Sequence, residues 1–299
     1  MSTNGSKKGN PFRSIGEIVT YRDYSLLWFG QSVSQIGDAI TAIAVPLVVY
    51  NLTHSILNLT ASFVVQAIPW IAFGPFAGVV VDRINRRHVL ILSDLLRALA
   101  IGLIFLAHTV VVIYLLTFLS QILATVFAPA RSSVIPALVP RHVYVRAISL
   151  SQASYQIVQF LGPLIASGII AATGTPRVAV LADCVSFCIA TLATVLTKIP
   201  PAAARVTKGD EEDKPSFFAA FTEGAAFLWK NKTLRFATNI NVLKSLIQSA
   251  VLVGCVLYVK LDMALAANVA DRVYGLVVSA MGVGMAVGAL MIGTSMAGI

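Results

Sequence analysis

Charged residues are scarce in this chain of 299 residues. They make up 12% of the sequence, whereas hydrophobic residues make up 57% and the mean hydropathy is +0.83. A soluble domain ordinarily uses about 25% charged residues to cover its surface. The scarcity of charge therefore excludes an ordinary soluble domain of this size and indicates a protein that lies within a lipid bilayer.

Cysteine and histidine are also rare, and neither forms a ligand pattern. The three cysteines (Cys184, Cys188 and Cys255) lie inside apolar runs, and the four histidines are scattered. Metal sites are usually signalled by such residues at short, regular spacings. The sequence also lacks a G-x-x-x-x-G-K-[ST] phosphate loop and a convergent set of nucleophile and base. We therefore expect no metal, no cofactor and no enzymatic activity.

Long apolar runs, by contrast, are abundant. A helix needs about 20 apolar residues to cross a bilayer. Continuous apolarity without alternation of period two favours helices over the strands of a barrel. The sequence thus predicts an all-α, polytopic membrane protein with eight spans, at about 25–50, 56–81, 88–108, 110–130, 148–172, 178–197, 236–259 and 273–296.

The spacing of these runs divides the chain into four parts. Residues 1–23 form a polar tail, and residues 24–198 contain the first six spans. Residues 199–235 begin with a Pro- and Ala-containing stretch that includes an acidic run, which is typical of a solvated linker. An amphipathic stretch at 217–229 follows, of the kind that lies on a membrane surface. Residues 236–299 contain the last two spans.

The placement of basic residues predicts the orientation in the membrane. The net charge is +9, but the basic residues lie between apolar runs rather than along one polar face, so we expect no nucleic-acid partner. If the spans alternate, seventeen of the 22 lysines and arginines fall on one side. Only Arg177, Lys260 and Arg272 fall on the other. The positive-inside rule then places the N-terminus in the cytoplasm of a cell-membrane protein.

The connection between the second and third runs carries a distinctive motif, Gly78-Val-Val-Val-Asp82-Arg83-Ile-Asn-Arg86-Arg87. Gly78 and Gly74 allow close approach of two helices, and Asp82 can make charge-assisted contacts that hold two bundle halves together. The motif resembles the signature loop of the major facilitator superfamily, G-x-x-x-D-R-x-x-R-R. The alternative is a generic basic loop that only obeys topology.

Further segments resemble one subgroup of that superfamily, the enterobactin and macrolide exporters. They are Tyr24-Ser-Leu-Leu-Trp28, Gly37-Asp38, Phe127-Ala-Pro-Ala-Arg131, Ile135-Pro136, Val139-Pro140 and Asp183-x-x-Ser186-Phe187. The resemblance implies a twelve-helix monomer of two six-helix halves that works by alternating access, usually with proton coupling. With eight spans, the chain is expected to be a fragment or a truncated form of such a protein.

Ionisable residues inside apolar runs are costly and are therefore functional candidates. Asp38 lies midway along the first run. We expect it to bind a coupling proton or a cationic substrate, with Gln31 and Gln35 lining the same polar pathway. The alternative is an Asp that only makes structural hydrogen bonds.

Charged residues of the third and fourth runs have a structural interpretation. Asp94 and Arg97 are three residues apart, so we expect an internal ion pair between them. They would belong to an inner-gate network with Asp82 and Arg131. Asp183 in the sixth run has a similar structural interpretation.

Gly162-Pro163 in the fifth run resembles the end of the glycine-rich pattern of antiporters, which favours export. The alternative is a packing glycine followed by a kink. The leading functional prediction is proton-coupled export of small amphipathic molecules, either drug-like or siderophore-like. An importer or facilitator on the same fold, a non-transporting truncated protein and a membrane enzyme or scaffold remain alternatives.

Overall fold

The computed structural model describes residues 18–200, 226–227 and 229–258, together with residues 273, 276, 277 and 280. Residues 1–17, most of the predicted linker and nearly all of the predicted eighth span lie outside the described residues. Within the described part, the chain is helical and contains no strand. The long helices are α1 (Arg22–Thr53), α2 (Ile56–Val81), α3 (Arg86–Leu106), α4 (Val110–Leu138), α5 (Arg141–Thr173), α6 (Pro176–Leu196) and α7 (Lys232–Leu257).

Helices α1 to α6 are long and apolar enough to cross a membrane. They coincide with the first six predicted spans, so the predicted all-α membrane architecture is confirmed for this part of the chain. Helix α4 continues past the end of its apolar run, and α5 begins before the start of its own, because the additional turns are amphipathic. In these turns Val134, Ile135, Val143 and Ala147 are buried, whereas the polar residues Ser132, Arg141, His142 and Arg146 are exposed.

Short connections make successive helices antiparallel. Ser55 and Thr175 cap the starts of α2 and α6 by accepting hydrogen bonds from backbone N–H groups. His54 and Gly174, with φ of 49° and 73°, end the preceding helices in the left-handed conformation. These caps leave few unpaired backbone groups at the turns.

Helix α1 lies at the centre of the bundle, between α5 and α6. A Cβ atom built on Gly30 would come within 2.5 Å of the Ala193 Cβ of α6. On α5, Gly162 faces Ala39 of α1 so closely that an added Cβ would overlap that alanine. Small residues of this kind let membrane helices approach each other closely.

Hydrogen bonds tie the helices together at both ends of the bundle. At one end, the Lys198 backbone N–H donates to the Asp23 carboxylate (2.9 Å), and Arg87 donates to the Val195 carbonyl (2.9 Å). We call this the basic end because the arginines at 83, 86, 87, 141 and 146 lie there. At the opposite end, Arg177 donates to the Phe105 carbonyl (3.1 Å).

Candidate functional site

A cavity of about 410 Å³ lies between α1, α2, α4 and α5. Its walls combine small apolar residues with aromatic side chains and with an unusual number of amides and charged groups. Polar groups at this depth in a membrane bundle are costly unless they meet water, a partner or a ligand. The polar wall residues are Gln31, Ser34, Gln35, Asp38, Gln66, Arg97, Gln121, Arg131 and Gln159.

An ion pair between Asp38 of α1 and Arg97 of α3 forms part of this wall. Arg97 donates to a carboxylate oxygen of Asp38. The Arg97 side chain is almost fully buried (4% exposed), whereas that of Asp38 is 38% exposed. The guanidinium also lies over the Phe187 ring, 4.2 Å from its centroid, in a cation–π geometry. Both side chains line the cavity, and Asp38 is the more exposed of the two.

The structure corrects the expected pairing of Asp94 with Arg97. Asp94 is buried and accepts a hydrogen bond from Gln31 Nε2 at 3.4 Å, while its Oδ1 has no hydrogen-bond partner among the described residues. The lengths of the two side chains explain the difference. The long Arg97 side chain extends to the neighbouring helix α1, whereas the short Asp94 side chain meets only the amide opposite it.

The three pathway residues predicted on α1 have different surroundings. Gln31 is buried and donates a hydrogen bond to Asp94. Gln35 lines the cavity, and its Oε1 is buried without a hydrogen-bond partner in the described part of the chain. Asp38 follows on the same wall. The three predicted residues thus lie along one face of α1 and line the same cavity.

The predicted gate motif is separate from this cluster. Asp82 pairs with Arg86 one turn away at 3.7 Å, and its side chain is 68% exposed. Asp94 lies about 12 Å further along α3 than Arg86, from 1.5 Å per residue. The expected network of Asp82 with Asp94 and Arg97 is therefore divided into two groups. Arg83 lies in the turn between α2 and α3.

Gly78 does not make the expected close helix contact with any described residue, because a Cβ at this position would meet no atom within 4 Å. At Gly74 the nearest atom would be Thr125 Cγ2, at 4.0 Å. Close approach of helices along α1, α5 and α6 instead involves Gly30, Gly37 and Gly162.

Arg131 joins the central cavity to a second cavity of about 330 Å³ between α4 and α5. The two cavities share Ala128, Arg131 and Tyr155 in their walls. The second cavity also contains Tyr144 and Ser151, on the turns of α5 near the basic end. Polar wall residues therefore run from the basic end to Asp38.

The Gly162-Pro163 pair has a packing role. Gly162 fits against Ala39, the residue after Asp38, and Pro163 is buried. The Ser167 hydroxyl donates to the Pro163 carbonyl at 2.9 Å. This arrangement agrees with the interpretation as a packing glycine and a proline within the helix, and it holds α5 against the segment of α1 that carries Asp38.

Sequence reasoning missed the contribution of α2 to the cavity. Trp70 Nε1 donates to Gln121 Oε1 of α4 at 3.0 Å, and Gln66 lines the wall one turn away. Gln66 is an amide near the middle of a largely apolar run, which is a usable signal for an inward-facing position.

Six apolar helices of membrane-spanning length around a polar, partly charged cavity define a polytopic α-helical membrane protein. The chain belongs to the Major Facilitator Superfamily, whose family model matches residues 27–299. This match confirms the resemblance seen in the signature loop. Because the family consists of transporters, membership also agrees with the expectation that the chain is not an enzyme.

Several curated proteins of known sequence are similar to this chain. Macrolide efflux protein A of Streptococcus pyogenes is 28% identical over 213 residues, which is 70% of this chain and 51% of that protein. The uncharacterized MFS-type transporter YkuC of Bacillus subtilis is 27% identical over 225 residues, which is 73% of this chain and 52% of that protein. The chain thus spans about half the length of the curated relatives that it matches.

Among solved structures, one of a bacterial homologue of the human lysosomal transporter Spinster, in an inward-facing and unoccupied conformation, superposes with a TM-score of 0.59. The sequence identity is 16%, and the match covers 93% of this chain and 60% of that one. This likeness supports the fold.

Proposed function

We propose that the protein containing this chain is a secondary transporter that exports small amphipathic molecules in exchange for protons. The observation that carries the proposal is the Asp38–Arg97 ion pair, whose carboxylate faces the central cavity at mid-depth. In this scheme residues 24–198 form one six-helix half of the transporter.

Proton coupling is supported by the chemistry of this pair. A buried ion pair is held together by the opposite charges of its members, and loss of one charge leaves the other uncompensated. Protonation of Asp38 would therefore release Arg97. Since bundles of packed helices have discrete alternative arrangements, a proton that breaks the pair can bias the choice between two of them.

The orientation follows the distribution of positive charge. The basic end would face the cytoplasm, with the N-terminus on the same side. The second cavity, which shares Arg131 and Tyr155 with the central one, would then be its cytoplasmic approach.

The substrate class follows from the composition of the cavity wall. Amides at Gln66, Gln121 and Gln159 offer both donors and acceptors, and Trp70 and Tyr155 offer aromatic surfaces. Such walls suit a partly apolar molecule that carries several hydroxyl or carbonyl groups. The similarity to Macrolide efflux protein A favours a macrolide-like compound.

The test uses the protein encoded by the complete gene, in everted membrane vesicles with an acidic interior. We expect accumulation of a labelled macrolide that is abolished by an uncoupler and by Asp38→Asn. Substrate counterflow that is insensitive to pH would indicate a facilitator instead. Absence of transport across a broad substrate panel would favour the non-transporting alternative.

A further inference from the structure

Asp183 of α6 is a fully buried carboxyl group to which the proposed function assigns no role. Its Oδ1 accepts a hydrogen bond from Ser186 Oγ at 3.0 Å. Its Oδ2 is buried and has no hydrogen-bond partner in the described part of the chain. A buried carboxylate oxygen without a partner is costly, so Asp183 is a candidate for holding a proton.

Helix α1 comes unusually close to this carboxyl group. An added Cβ on Gly37 would overlap both Asp183 Oδ1 and Ser186 Oγ. Gly37 is the residue before Asp38, so the close contact brings the two acidic side chains into the same region of the bundle. The sequence segments Gly37-Asp38 and Asp183-x-x-Ser186-Phe187 thus meet at one site.

Arg97 reaches this site from α3, the third helix that contributes to it. It pairs with Asp38, and its guanidinium covers the ring of Phe187, which lies one helical turn after Asp183. Two carboxyl groups therefore share the neighbourhood of one buried cation. An arrangement with one cation and two acids is electrically balanced when the acids hold one proton between them.

The surroundings of Asp183 contain few other titratable or charged groups. Asp38 and the Thr41 hydroxyl face it from α1, and Arg97 faces it from α3. On its own helix it is accompanied by Ser186 and by the thiol of Cys184, which donates to the Ala98 carbonyl of α3 at 3.2 Å. Helix α5 adds no titratable group to this set among the described residues. Asp94 of α3 adds a further buried carboxyl group that interacts with Asp38 and Arg97, and Arg131 of α4 interacts with Asp94 in turn. The wider set of three acids and two cations is likewise balanced when the acids hold one proton between them.

We propose that Asp183 is a second proton-binding residue and that Arg97 exchanges its ion pair between Asp38 and Asp183 during transport. In the arrangement described here, Arg97 pairs with the Asp38 carboxylate and Asp183 holds the proton. When Asp38 binds a proton from the cavity, its bond to Arg97 breaks. Arg97 then pairs with Asp183 Oδ2 as the Asp183 O–H proton leaves to water. One proton is bound and one is released, and the charge of the trio does not change.

This inference rests on the proposed proton-coupled transport, and its test separates the two. The full-length protein is reconstituted with a gradient of about one pH unit, which supports about tenfold accumulation in a one-for-one exchange. We expect Asp183→Asn to keep substrate counterflow but to lower the accumulation ratio to about one. A neutral side chain at this position cannot form an ion pair with Arg97, so Arg97 would stay paired with Asp38. Thr194→Val, which removes a buried hydroxyl elsewhere on α6, is the matched control.

The outcomes are distinct. If the wild-type protein does not accumulate substrate, the proposed function fails. If the wild-type protein accumulates substrate and Asp183→Asn accumulates it equally well, this inference is overturned while the proposed function stands. Loss of both counterflow and accumulation in a folded Asp183→Asn protein would indicate a structural role and would also overturn it.

Infrared difference spectroscopy gives a second readout that does not depend on transport. The spectrum should contain a carbonyl band of a protonated carboxyl group that is present in the wild-type protein but lost in Asp183→Asn and in Asp38→Asn, where Arg97 is free to pair with Asp183. An Asp94→Asn variant identifies any band that the buried Asp94 contributes. Persistence of the band in Asp38→Asn would contradict the exchange. If Asp183→Asn fails to fold, Ser186→Ala replaces it. Removal of the hydroxyl that donates to Oδ1 should shift the band, whereas an unshifted band would overturn the assignment.

Discussion

The Arg97 guanidinium of α3 bonds to the Asp38 carboxylate of α1 across 59 positions of sequence, and not to Asp94, which lies three residues away on its own helix. This pairing places the positive charge against α1, the helix that lines the central cavity and packs on α6. Changes at either residue should therefore affect the whole bundle and not only its local helix.

A double-mutant cycle tests the ion pair. Asp38→Asn or Arg97→Gln alone leaves one partner uncompensated, whereas the double variant removes both charges. We expect the double variant to be more stable than the sum of the two single effects predicts, with a coupling of about 1–3 kcal/mol. Thermal unfolding in detergent measures it. Additive effects would show that the pair contributes nothing to stability.

The close contact of α1 with α6 should not tolerate a side chain. Gly37→Ala would overlap the Asp183 carboxylate and Ser186 hydroxyl, and overpacking of this kind costs about 1–3 kcal/mol. We expect a lower unfolding temperature than in the wild-type protein. Gly168→Ala on α5 is the matched control, because the added methyl group would meet no described atom within 4 Å. Equal stability of the two variants would contradict the prediction.

Trp70 and Gln121 are expected to determine substrate preference. The hydrogen bond between them holds the indole ring in the cavity wall, and a neutral hydrogen bond contributes about 0.5–1.5 kcal/mol. Gln121→Leu should therefore raise the KM for an amphipathic substrate about two- to tenfold with little change in kcat.

The control for this change is Trp28→Phe, which removes a similar N–H bond, that to Ser154 at 3.1 Å. Trp28 is not a wall residue of either described cavity. The KM should remain within about twofold of the wild-type value in this variant. A rise in KM as large as that of Gln121→Leu would show that the effect is general and does not arise in the cavity.

The signature loop should affect transport more than stability. The Asp82–Arg86 pair is long and its Asp82 side chain is largely exposed, and pairs of this kind at a surface contribute at most about 1 kcal/mol. We expect Asp82→Asn to unfold at nearly the wild-type temperature but to slow transport about tenfold, if the motif helps to select between bundle arrangements. Asp23→Asn, which weakens another exposed bond at the basic end, is a suitable comparison. A wild-type transport rate in Asp82→Asn would leave the loop with a purely topological role.

Sequence patterns predicted the helices well because a membrane span must satisfy its own backbone groups, so length and apolarity suffice to locate it. The end of α4 was placed too early and the start of α5 too late, since the turns concerned are amphipathic and resemble a loop. Asp38 was found as a single acid in an apolar run. Its partner was not, because neighbours within one helix can be read from spacing, whereas partners on another helix depend on how the helices pack.

The predicted orientation can be measured by labelling single cysteines. In a variant that lacks Cys184, Cys188 and Cys255, we would place one cysteine at Ile84, which is exposed at the basic end. A second variant would carry a cysteine at His108, which is exposed between α3 and α4 at the opposite end. The positive-inside rule predicts that a membrane-impermeant maleimide labels His108→Cys in intact cells and Ile84→Cys only in everted vesicles. The reverse pattern would place the basic end outside. The second cavity, which shares Arg131 and Tyr155 with the central one, would then be the approach from the external face. Substrate entry from that side would favour import over export.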